Sequence, residues 1–142
     1  MEQNQTHSAA TAAPVRALGA VTFLRCHTPA ILDPYPIHHI LSSKGEVVGE
    51  AMICRILEDI ALRLDNLQAA KFTHSFAEID RPARRIVHVS SRIGLVDVSQ
   101  SAGHVGVAAR QEDEVALSAT LARLERAFDV AVSEIWRYRD YT

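Results

Sequence analysis

At Gly94 the helical hydrophobic pattern of this chain slips by two residues, and no single helix survives that slip. Before the glycine, apolar residues fall at Ile79, Ala83, Ile86 and Ile93; after it they restart at Leu95, Val98, Ala102, Val105 and Ala109. An unbroken helix would carry its next core residues near positions 97 and 100, which are Asp97 and Gln100, so its apolar stripe would rotate off the core. The chain must turn there. Glycine accepts the left-handed conformation that ends a helix, and Asp97 or Ser99 can supply the oxygen that caps the next one. One apparent long helix is thus a hairpin of two.

The same reasoning extends outward from the hairpin. Residues 1 to about 18 are polar and alanine-rich and read as a flexible arm. From 19 to 44 the chain carries Pro29, Pro34 and Pro36 around the short run Val21-Thr22-Phe23-Leu24, which predicts an extended segment lying on the helices. Ser42 or Ser43 can cap a first long helix over about 45–71, with Val48, Met52, Ile53, Ile56, Ile60, Leu64 and Leu67 toward the core. A second helix covers about 75–93, beginning at Thr73 or Ser75 or, because Pro82 is tolerated only in a first turn, at Asp80. A third covers about 96–110, and Gln111-Glu112-Asp113 turns the chain into a fourth over about 113–138. That fourth helix repeats Leu117, Leu121, Leu124, Phe128, Ala131, Ile135 and Tyr138 over about three heptads. It spans about 40 Å at 1.5 Å per residue and outruns the third helix, so its last turns around Trp136 must rest on the first helix, the proline segment or a second subunit. Short loops make neighbouring helices antiparallel. The expected fold is all-α, an up-down antiparallel four-helix bundle over 45–142 with an extended proline-containing N-terminal segment.

Composition narrows the function classes. With 142 residues, 48% hydrophobic, 23% charged and a net charge of −2, the chain is an ordinary globule with no global pull on nucleic acid. Cys26 and Cys54 form no Cys-x-x-Cys pair, and no stretch reaches the roughly 20 apolar residues of a membrane span. We read a reduced, cytoplasmic protein with no nucleic-acid or membrane partner. The six glycines are scattered, so no phosphate-cradling loop is present, and no Gly-x-Ser-x-Gly elbow marks a hydrolase. Gly103 and Gly106 with Ala102, Ala108 and Ala109 make one side of the third helix small, which we read as a packed side.

From about Phe76 to its C-terminus the chain resembles the histidine-containing phosphotransfer (Hpt) domain of bacterial two-component signalling. The likeness is carried by Ser91-Arg92-Ile93-Gly94-Leu95-Val96-Asp97-Val98, by Ala102 to Arg110, by the Glu112-Asp113 turn and by Leu117 to Glu125. It looks closest to the poorly characterised phosphotransfer-like proteins of alphaproteobacteria, which often end in a Trp-containing helix, as here at Trp136. In the family the helix bearing the phosphoaccepting histidine ends at a glycine, and the motif reads His-x-x-Lys-Gly about ten residues earlier. Counted back from Gly94, the histidine's place falls on Arg84, and the lysine and glycine fall on Val87 and His88. An arginine, always protonated, accepts no phosphoryl group. The resemblance therefore implies a degenerate, non-enzymatic bundle.

His88 stands one turn after Arg84 and offers an exposed imidazole that could act as a displaced phosphoacceptor; an ordinary surface histidine is the simpler reading. Arg81, Arg84, Arg85, His88 and Arg92 form a basic strip on the second helix. Such a strip can dock the acidic rim of a receiver domain, or face solvent paired with Glu78 or Asp80. Cys26, His27, His38 and His39 have metal-ligand chemistry but match no closed zinc spacing, so no metal and no cofactor is expected. The expected partner is a response-regulator receiver domain or a histidine kinase bound through the second helix. The rival reading is a homodimer built on the overhanging fourth helix, and a third is active phosphotransfer through His88.

Overall fold

The structure, a computed structural model, describes residues 31–139; the arm over 1–18, the stretch 19–30 and with it Cys26 and His27 lie outside the described residues. Within them the chain forms five helices: α1 Tyr35–Lys44, α2 Glu46–Phe72, α3 Asp80–Arg92, α4 Val96–Arg110 and α5 Glu114–Arg139. The four expected helices are α2 to α5. Each packs on the next and α5 returns to α2, around a core of Ile60, Leu67, Ile86, Val98, Val105, Leu121 and Leu124.

The α3–α4 turn is built as the sequence demands. Gly94 has φ 79°, its amide donates to Ser91 O at 3.3 Å, and the Leu95 amide donates to Ser90 O at 2.9 Å. These paired bonds form a Schellman cap, which needs a left-handed residue at that position. A side chain is excluded for a second reason: a Cβ at Gly94 would lie 2.1 Å from the carbonyl oxygen of Asp33. Asp33 donates its amide to Gly94 O at 2.8 Å, Leu32 bridges Leu95, and the Ile31 amide donates to Asp97 Oδ2 at 2.8 Å. Asp97 is thereby engaged across the chain and does not cap α4, and the Ser99 hydroxyl donates to Val87 O at 3.3 Å instead of capping.

Three other expectations are corrected. The segment predicted as extended over 19–44 is helical from Tyr35 onward, because Pro34 and Pro36 fall at the cap and in the first turn, where a missing N–H costs nothing. Ser42 and Ser43 do not cap α2; their hydroxyls donate back to His39 O and Ile40 O within α1, and Gly45 (φ 81°) makes the corner. In α2 the buried stripe runs Gly49, Ile53, Leu57, Ile60, Leu64, Leu67, leaving Val48 and Met52 exposed. Gly49 explains the rotation: its Cβ would sit 3.0 Å from Leu41 Cδ2 and 3.1 Å from Leu41 Cα, so α1 crosses α2 at the glycine and takes that face.

Of the rival starts for α3, Asp80 prevails, with Phe76–Glu78 as a separate 3₁₀ turn and Pro82 in the first helical turn. The acidic turn before α5 caps that helix, Asp113 Oδ1 accepting the Ala116 amide at 2.9 Å. The overhang of α5 rests on α1 and α2: Ile135 is buried, Trp136 is half-buried beside Ile37, Leu41 and Ile53, and Tyr138 meets the His38 ring edge-on. His38 and His39 are exposed neighbours on α1, and among the described residues no three potential metal ligands converge. Among those residues no helix is long and apolar enough to cross a membrane.

Candidate docking surface on the third helix

Among the described residues α3 is the most strongly two-sided helix. Ala83, Ile86, Val89 and Ser90 face inward, the Ser90 hydroxyl satisfied by Ile86 O at 2.6 Å. Arg81, Arg84, Arg85, His88 and Arg92 are all exposed. At 3.6 residues per turn these five side chains fall within an arc of about 100°, with Arg84 at the edge toward α4, Arg85 at the edge toward α2 and His88 between them. The predicted strip is thus one continuous surface. Its formation follows from the sequence: Asp80 sits where the helix dipole favours an anion, Arg92 where it favours a cation, and Gly94 stops the helix.

Among the described residues the strip is neutralised only at its edges. Arg84 Nη2 lies 2.8 Å from Asp80 Oδ2, one turn earlier, and Arg110 Nη1 reaches Asp80 Oδ1 from α4. Desolvation pushes the Asp80 carboxyl up, but hydrogen bonds from Arg110 and Arg84, reinforced by their charges, outweigh it and hold the group below its ordinary value. Arg85 Nε stands 3.9 Å from Asp59 Oδ2, a carboxylate already gripped by Arg63 at 2.9 and 3.1 Å. Among the described residues Arg81, His88 and Arg92 have no ion pair or hydrogen bond from their side chains, and Glu78 pairs with none of the strip. Among the described residues no carboxylate or carbonyl is hydrogen-bonded to the His88 ring.

Two basic residues that the sequence reading passed over extend this surface. Arg55 of α2 stands with Arg85 and Arg92 around a groove floored by Met52, Ile56 and Val89. Arg110 stands with Arg84 at a cleft between α3 and α4 lined by Val87, Ala102, Gly103 and Gly106. The hairpin register would have found Arg110: counted from Leu95, Asp80 and Arg110 lie equally far to either side and so meet across the antiparallel pair. The small side of α4 is only partly a packing face. A Cβ at Gly106 would meet Arg110 Nη1 at 3.3 Å, Asp80 Oδ1 at 3.5 Å and Ala83 Cβ at 3.9 Å, whereas a Cβ at Gly103 would meet nothing within 4 Å. A glycine inside a helix costs about 1 kcal/mol relative to alanine, and packing does not require this one.

No protein-family model matches the sequence, and no curated protein does. Among solved structures the chain is similar to histidine-containing phosphotransfer protein B (HptB) from Pseudomonas aeruginosa PAO1, with a TM-score of 0.70 and 19% identity over 79% of this chain and 96% of that one. The chain therefore has an Hpt-like helical fold.

Proposed function

We propose that this chain is a non-catalytic Hpt-like protein that binds a two-component signalling partner, a receiver domain or a histidine kinase, through α3. The observation that carries the reading is the exposed arc from Arg84 to Arg85, with Arg84 at the place where the resemblance puts the phosphoacceptor and with His88, Arg81 and Arg92 uncompensated among the described residues. A surface of one sign speeds encounter with an acidic partner and sets its orientation. The partners are cytoplasmic, and Cys54 is a free thiol, which suits that compartment. Self-association through α5 has less to rest on, since Trp136 is half-buried against α1 and α2.

Binding assays against receiver domains and kinases, with variants Arg84→Glu and Arg92→Glu, test the docking part. Each reversal is expected to weaken binding about tenfold at low salt, with a smaller effect as salt screens the surface. Absence of any binding, or a charge-reversed strip that binds like the wild type, sinks it. Incubation with a phosphorylated receiver tests the non-catalytic part, and acid-labile phosphate that disappears in His88→Ala overturns it.

A further inference from the structure

Arg84 and Arg110 share one carboxylate, each on its own oxygen of Asp80, so two guanidiniums facing one anion leave a positive charge uncompensated. Both stand at a cleft of 260 Å³ between α3 and α4. Their side chains are 71% and 49% exposed, which leaves them free to exchange partners. The wall beside them is Gly103, where a Cβ would meet nothing within 4 Å, so the missing side chain leaves room for something outside this chain.

Resting on the receiver-binding reading above, we infer that this cleft holds a phosphoryl group between Arg84 and Arg110, and that the group is the phosphoaspartate of the bound receiver. Asp80 holds the two guanidiniums in the arrangement that bridges adjacent oxygens of one anion. A phosphoryl group offers the same bridging oxygens with more negative charge, and planar guanidinium forks match it. It displaces Asp80 as the shared acceptor. No bond is made or broken at phosphorus, because neither arginine accepts the group; the phosphate stays on the partner and only its presence is read. A binding surface thereby distinguishes the phosphorylated partner from the unphosphorylated one.

The test has two arms. In the first, the isotope-labelled full chain is titrated with inorganic phosphate at constant ionic strength while the Gly103 and Gly106 amide resonances are followed. Saturable shifts with a dissociation constant on the order of millimolar are expected, consistent with a single small anion. Arg110→Gln abolishes the saturation, and Asp80→Asn, which frees both guanidiniums, tightens binding several-fold. Identical shifts with sodium chloride, or unchanged saturation in Arg110→Gln, overturn the site, and that variant decides the matter even if Asp80→Asn fails to fold. In the second arm, a receiver is compared with and without beryllofluoride on its phosphorylatable aspartate. The wild type is expected to prefer the loaded form about tenfold, and Arg110→Gln to bring that ratio near one. Equal binding of the two forms overturns the inference and leaves the docking reading standing. Failure of every receiver to bind overturns the docking reading and, with it, the receiver as the phosphoryl source.

Discussion

Asp80 answers to two helices at once, starting α3 and holding Arg84 of its own helix and Arg110 of the next. Its carboxyl is lowered from an ordinary value of 3.8, so the unfolded chain takes up the proton more readily than the folded one. The stability it contributes is complete well above pH 3.8 and is lost as pH falls through the lower folded value. Both arginines are largely exposed, so the contribution is discounted to about 1 kcal/mol or less. Melting curves of wild type and Asp80→Asn are expected to differ at pH 7 and to converge as the pH falls well below 3.8, through the lowered folded value. A constant gap across that range would assign the stabilisation to packing instead of charge. The residue scale also marks the limit of sequence reading. The strip from Arg81 to Arg92 could be counted off one helix and Arg110 off the hairpin register, whereas Arg55 belongs to the surface only through the packing of α2 on α3.

Among the elements, the α3–α4 hairpin was the most legible because its determinants are local: a glycine that must be left-handed and an apolar register that restarts beyond it. Gly94→Ala tests this. The left-handed conformation costs alanine about 1–2 kcal/mol, and the Cβ meeting Asp33 adds to it, so a loss of at least about 2 kcal/mol is expected in chemical denaturation. Gly103→Ala has the opposite sign, since its Cβ meets open space, and a gain of up to about 1 kcal/mol is expected. A destabilised Gly103→Ala would show that the open wall is occupied within this chain. α1 was missed for an equally specific reason. Pro34 and Pro36 read as helix breakers when their distance to the following helix is unknown, and as helix starters once Tyr35 is seen to be the first residue. In α2 the buried Ile53, Ile60, Leu64 and Leu67 were legible, and the misreading is at its start, where Gly49 turns inward against Leu41 and leaves Val48 and Met52 exposed.

At the scale of the molecule, α1 closes the end of the bundle that α5 leaves open. Ile37 is 6% exposed and lines the same pocket as Trp136, the one tryptophan of the chain. Ile37→Ala is expected to cost about 2–4 kcal/mol and to shift the tryptophan emission to the red as water reaches the ring. An unchanged spectrum would mean that α5 keeps its seat without α1. The segment over Ile31–Asp33 ties the N-terminal side of this arrangement to the Gly94 turn, and its bond from Ile31 to Asp97 joins residues 66 apart. Closing a loop of that length is entropically costly, while the α3–α4 and α4–α5 pairs close over short turns. The hairpins are therefore expected to form before the clasp. Under native conditions it is expected to open more readily than the turn it rests on, and hydrogen exchange at the Ile31 and Asp33 amides is expected to be faster than at that of Leu95.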